Sequence, residues 1–325
     1  MKLRSQISLV AVLGLGLAGL LTSPPLPGVS QATAAPVPKA DPKTAPAFLY
    51  GESVADPKAP PAAGFTIKRI KWTLGTEAGA KQWPLGGKKK GREDVAPVSR
   101  TIILEKNASG VVLLGPNGKD LKLSRTKGPL ADAKTADLDL RTVAFAFSPD
   151  GKTLAFGNEA GHYCRIGLEK MELAVNDGVK LHWYDGIEFS PDGTRIAYSR
   201  HDSGKDTVCV ADADGKGEVK LAAVGEMKGF GFLPEGRVGV VTKTGMTTYD
   251  AKTGKAGDTV AWAKPLPIRS FGGFSPDGSA FIFDDGGPYH LDLYHIDLKT
   301  QKVTAIKKTV LEPFQRPVWV RVSAK

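Results

Sequence analysis

From about residue 100 onward, apolar residues fall in short runs or alternate with polar ones, and turn formers interrupt them every few positions. Val143–Phe147 is followed, after a break at Ser148–Gly151, by Thr153–Phe156. Gly186–Phe189 precedes Arg195–Tyr198, Gly229–Phe232 precedes Val238–Val241, and Ser270–Phe274 precedes Ala280–Phe283. A period of two, bounded by Gly, Pro and Asp, predicts strand, tight turn, strand. Third strands are predicted at His162–Ile166, Thr207–Ala211, Met246–Tyr249 and Leu291–Ile296. Fourth strands follow at Glu172–Val175, Val219–Ala222 and Val303–Ile306, with a poorer version across Ala256–Trp262. No helical stripe of useful length follows the leader.

The breaks repeat one phrase. Phe147-Ser-Pro-Asp-Gly151 returns as Phe189-Ser-Pro-Asp-Gly193, Phe232-Leu-Pro-Glu-Gly236 and Phe274-Ser-Pro-Asp-Gly278, at spacings of 42, 43 and 42 residues. Proline enters the turn with φ already near −65°, and glycine accepts the positive φ that closes it. The phrase therefore predicts a type I turn followed by a left-handed glycine, a common hairpin connection. Four antiparallel strands in about 42 residues are the content of one propeller blade.

On these residues the chain resembles the WD-like repeats of TolB-type β-propellers, in which an apolar strand runs into Ser-Pro-Asp-Gly-Lys. Phe147–Lys152 matches that form in full, the copies at Phe189 and Phe274 match except for the last residue, and the copy at Phe232 departs further. The resemblance implies an all-β propeller of four-stranded antiparallel blades. It implies no reaction, because such folds serve as scaffolds, ligand binders and some enzymes. Stepping back one period reaches Thr101–Leu114, and stepping forward reaches Pro317–Val322. The expectation is six blades, with residues 65–100 and 313–325 forming the closing one so that no sheet edge is left open. Seven blades follow instead if residues 65–100 hold a full unit.

The amino terminus has another character. Met1–Arg4 is a charged start, Ile7–Leu21 is apolar, and Ala32-Thr-Ala34 offers small residues for cleavage. Residues 1–34 are thus expected to be a secretory signal peptide, with an uncleaved anchor as the alternative. Residues 35–64, rich in Pro, Ala and Lys, are expected to be a disordered linker. Residues 65–325 then form a single propeller, secreted or periplasmic and monomeric, with no stable membrane span after signal cleavage. Cys164 and Cys209 occupy matching third strands of adjacent blades, too far apart for the Cα separation of a disulfide, so two buried thiols are expected.

Chemistry is sparse. No Gly-x-Ser-x-Gly elbow, Walker loop or dinucleotide fingerprint occurs. His162, His182, His201, His290 and His295 are scattered without zinc-site spacing. The loops His201–Asp206 and Asp284–Gly287 hold oxygen ligands, but not at the spacing of a calcium loop, and Asp and Gly are ordinary turn formers. The turn aspartates Asp150, Asp192 and Asp277 read as structural. No metal, cofactor or catalytic residue is assigned. The formal charge of +10 favours acidic partners. Lys88–Arg92 lacks the interleaved aromatics that stack bases, so nucleic acid is not expected.

Fold and charge together point to one place. Inner strands of a propeller start beside the central channel, and the residues at those starts are Arg141, His182, Trp183, Tyr184, Lys228, Arg269 and Arg316. Cations from four blades and an aromatic pair would suit an anionic tail or ligand. The expected function is an exported, non-enzymatic scaffold that binds a protein or an anionic envelope component through this mouth. The alternative is a propeller enzyme, a lactonase-like metal-dependent hydrolase, which would gather Asp, Glu, Asn or His about the axis.

Overall fold

The computed structural model describes residues 44–55, 68–76, 79–83, 95–97, 101–107, 110–115, 119–124, 126–131, 144–158, 160–181, 186–202, 205–224, 226–286, 291–310 and 318–323. They hold strands and short 3-10 turns and no α-helix. In chain order the first strands are β1 (Thr44–Ala55), β2 (Lys68–Thr76), β3 (Gly79–Trp83) and β4 (Val95–Pro97). Next come β5 (Ile102–Asn107), β6 (Gly110–Leu114) and β7 (Asp120–Ser124), an antiparallel three-stranded sheet.

Four sheets of four antiparallel strands follow the repeat. The first is β8 (Phe145–Phe147), β9 (Thr153–Gly157), β10 (His162–Gly167) and β11 (Glu172–Lys180). The second is β12 (Ile187–Phe189), β13 (Arg195–Asp202), β14 (Lys205–Asp212) and β15 (Val219–Val224). The third is β16 (Met227–Leu233), β17 (Arg237–Thr242), β18 (Gly245–Asp250) and β19 (Ala256–Ala261). The fourth is β20 (Ser270–Phe274), β21 (Ala280–Asp284), β22 (Leu291–Asp297) and β23 (Val303–Val310). The last strand is β24 (Val318–Ser323).

These are the blades of a propeller, with β8, β12, β16 and β20 as successive neighbours along the inner side and β24, from the sheet built by the chain ends, beside β20. Each four-stranded blade buries one face on the sheet before it and the other on the sheet after. Ala146, Ala155 and Tyr163 of one blade meet Ile187, Phe189, Ile196 and Tyr198 of the next. Ala197, Val208 and Val210 meet Phe230, Phe232, Val238 and Val240. Leu233, Val241 and Met246 meet Phe271, Phe274 and Phe281. Apolar burial at both faces of the four-stranded blades is the main source of stability, at roughly 25 cal/mol per Å². Close approach requires small residues on the facing strand. A Cβ at Gly229 would stand 2.2 Å from the Phe271 side chain, and one at Gly239 would stand 2.6 Å from Phe274.

Two expectations are corrected here. Five blades follow the repeat, counting the β5–β7 sheet, where six were expected. The two ends of the chain build a different object, a five-stranded antiparallel sheet in the order β3-β2-β1-β24-β4. The reason is β1, which enters between β2 and β24, pairing Phe48 with Gly75 on one side and with Trp319 on the other. Thr44–Ala55, within the expected disordered linker, is instead a strand. Trp319 fastens this sheet to the fourth four-stranded blade: its indole packs against Ala280, Ile282 and Leu293, and its Nε1–H donates to Gly273 O at 2.8 Å. Residues 1–34, expected to be a signal peptide, lie outside the described residues. No helix among the described residues is long and apolar enough to cross a membrane. Cys164 and Cys209 are buried thiols, not joined in a disulfide, on β10 and β14.

Candidate functional site

A blade has two ends with different construction. At one end the inner strand runs into the repeated phrase. Ser190 Oγ donates to Asp192 Oδ1 at 2.6 Å and accepts the Arg195 N–H at 2.9 Å, while Gly193 N–H reaches Ser190 O at 2.8 Å. The same bonds recur at Ser148–Thr153 and at Ser275–Ala280. Glycines 151, 193 and 278 stand at φ of 70°, 72° and 70°, the left-handed region that the turn requires. Burial works against ionisation of Asp192 and Asp277. The hydroxyl and backbone hydrogen bonds outweigh it and hold both carboxyls below the usual range. The turn aspartates are therefore occupied in holding the hairpin.

Neighbouring blades are tied together at this end. Gly193 packs on the Pro149 ring and Gly278 on the Pro234 ring, phrase against preceding phrase. The Tyr163 hydroxyl donates to Ala213 O at 2.8 Å, and the Arg195 guanidinium donates to Ala251 O. In the third four-stranded blade Leu233 and Glu235 replace Ser and Asp. Glu235 and Gly236 take φ of 63° and 69° there, and Leu233 is buried in the seam instead of bonding the turn.

The opposite end is where the inner strands start, and there the predicted site residues divide. Arg141, His182, Trp183, Tyr184 and Arg316 lie outside the described residues. Lys228 and Arg269 are described, on adjacent inner strands, since β16 and β20 pack together. Lys228 lies at a break in the β16–β17 ladder, where Met227 pairs with Thr242 and Gly229 with Val241. Such a bulge re-aims the extra side chain out of the pairing pattern. Arg269 immediately precedes β20. Its backbone N–H donates to Asp284 O at 2.8 Å, and its guanidinium lies across Gly286, donating to Gly286 O at 2.7 Å. A side chain at Gly286 would collide with the Arg269 stem, so this glycine is required on space as well as on its φ of 60°.

Beside Arg269, Asp284 is buried and Asp285 is hydrogen-bonded within its own blade. Asp285 Oδ1 accepts the Asp292 N–H at 3.0 Å, and Oδ2 accepts from the Tyr294 hydroxyl at 3.3 Å. Burial first, then the charges of Asp285 and Asp292, raise the Tyr294 phenol above its ordinary value. Asp284 is 4% exposed. Among the described residues no three His, Cys, Asp or Glu side chains converge as a metal set.

Two features escape the sequence reading. The first is Glu188, buried on β12, whose Oε1 accepts the Phe232 N–H at 3.2 Å and so bonds two inner strands across a blade seam. Aligning the phrases exposes it, for the residue before the phrase's Phe is Ala146, Glu188, Gly231 and Gly273 in turn. The second is the connection from β19 to β20. Its Trp262, Leu266 and Ile268 are buried in the seam between the third and fourth four-stranded blades, while Ala263, Lys264, Pro265, Pro267 and Arg269 are exposed. Its Trp-x3-Leu-x-Ile spacing was a signal, but it has neither strand nor helix period.

No family model matches the chain, and no curated protein matches it. Among solved structures, TolB from Acinetobacter baumannii is similar at a TM-score of 0.54 and 13% identity, covering 84% of this chain and 66% of its own. The chain thus spans just under two thirds of the TolB chain. A chain of a nidogen/laminin complex is similar at a TM-score of 0.50 and 11% identity, covering 86% of this chain and 99% of its own. At such identities the likeness is one of fold, and the chain is a β-propeller of TolB-like architecture.

Proposed function

We propose that this chain is an exported, non-enzymatic propeller that binds a protein or an anionic envelope component through the end at which its inner strands start. The observation that carries this reading is the pair Lys228 and Arg269. Adjacent inner strands each present a cation there, and neither cation is in an ion pair with a described carboxylate. Arg269 is also held in place by its bond to Gly286 O, which lowers the entropy lost on binding. In this reading Arg141, His182, Trp183, Tyr184 and Arg316 extend the same surface around the mouth, with Trp183 and Tyr184 as aromatic anchors. The blades act as a rigid scaffold without a cofactor, residues 1–34 direct export, and the propeller works as a monomer. A structurally similar chain belongs to a protein–protein complex, which agrees with a binding role.

The test is affinity capture from the chain's own envelope extract by residues 35–325, beside a variant with Arg141, Trp183, Lys228 and Arg269 changed to Ala. A partner retained by the first and lost by the folded variant supports the proposal. Equal capture by both removes the site from this end.

A further inference from the structure

We infer that the strap Trp262–Arg269, with the hairpin beneath it, is a docking surface for an acidic, extended segment of a protein partner. This rests on the reading that the inner-strand starts form the binding end, and it adds residues and a partner chemistry to that reading.

The strap is fixed along its length. Trp262 N–H donates to Thr244 O at 2.9 Å, its Nε1–H to Thr242 O at 3.2 Å, and Leu266 N–H to Lys243 O at 2.8 Å. Arg269 N–H closes the far end on Asp284 O. Thr242 is also the ladder partner of Met227, next to Lys228. The pairing and the strap bonds therefore gather Lys228, Lys243, Lys264 and Arg269 at one end of two adjacent blades. Lys243, Lys264 and Arg269 are exposed and Lys228 is half-buried. None of the four is in an ion pair with a described carboxylate. Asp285 is hydrogen-bonded to Asp292 N–H and Tyr294, and among the described residues Glu226 is an exposed acid beside β16.

The shape fits a peptide. From Lys264 to Arg269 the strap spans at most ~17 Å at 3.3 Å per residue, the length of five or six residues of extended chain. Pro265 and Pro267 are exposed between the two cations and offer apolar ground between charged contacts. A lipid surface fits less well. The large apolar side chains exposed among the described residues, Met171 and Val303, lie in or beside the hairpin turns at the opposite end of the blades. Carboxylates along the peptide would meet cations already placed, and the attraction would weaken with salt.

The probe is a labelled deca-glutamate peptide titrated with the full chain, followed by fluorescence anisotropy, with deca-glutamine as the neutral control. The expected result is binding of the acidic peptide alone, weakened at least tenfold by K243E/K264E and by 0.5 M salt, with the melting temperature unchanged. The alanine pair K243A/K264A should weaken it by a smaller factor. Equal affinity for wild type and K243E/K264E, or equal binding of both peptides, overturns the inference. So does binding to phosphatidylglycerol vesicles with no binding to the peptide. If envelope capture needs Lys228 and Arg269 while K243E/K264E leaves peptide affinity unchanged, the strap inference fails and the mouth reading stands. If peptide affinity falls in K243E/K264E while capture ignores the mouth residues, the mouth reading fails instead.

Discussion

The two ends of each blade use the same residue types for opposite purposes. At the phrase end, Asp192 and Asp277 accept hydroxyl and backbone donors, Arg195 reaches the next blade's backbone, and glycines lie on prolines of the preceding blade. The polar groups of the phrase itself are used up inside the fold. At the inner-strand starts, Lys228 and Arg269 are positioned by a bulge and by a bond to a backbone carbonyl, and their charge remains available. A charged residue in a propeller therefore says little by its type. Its position along the inner strand decides whether it maintains the hairpin or keeps its charge available.

The comparison can be broken at the phrase end first. Gly278→Val puts a β-branched residue at φ of 70° with its Cβ 2.5 Å from the Pro234 ring. A loss of about 3 kcal/mol is expected by denaturant unfolding, with partner binding retained by the folded fraction. Ser275→Ala removes both the donor to Asp277 and the acceptor of the buried Ala280 N–H, and should cost about 2 kcal/mol in the same measurement. If either change abolished partner binding in folded protein, the division of labour would be wrong.

Acid should act through the same turns. Because the folded-state pKa values of Asp192 and Asp277 are lowered, their contribution is present above the unfolded value near about 3.9 and is lost as pH falls through the lower folded values. Thermal melts should thus be level in this contribution from neutral pH to about pH 5 and fall below about pH 4. Asp192→Asn with Asp277→Asn should flatten that fall. The smallest stability effect belongs at the other end: Lys228→Ala with Arg269→Ala should change unfolding free energy by no more than about 0.5 kcal/mol while partner capture is lost.

Much of the fold was legible because its signals are local. Proline, aspartate and glycine in Phe-Ser-Pro-Asp-Gly specify a turn through their own φ preferences and short hydrogen bonds, so strands and blades follow from the spacing. β1 was not legible, since Thr44–Ala55 gains its strand form by pairing with β2 and with β24 at the far end of the chain. Lys228 and Arg269 were found because the inner-strand start can be counted from each phrase. Lys243 and Lys264 were missed because the β19–β20 strap is irregular and is fixed by tertiary bonds that leave no periodicity.

The most direct test of the central claim is capture of the envelope partner by the chain carrying Lys228→Ala and Arg269→Ala, run beside Ser275→Ala under conditions where both are folded. The account predicts that the first loses the partner at unchanged stability and that the second keeps it at reduced stability. Capture retained by the first and lost by the second would contradict it.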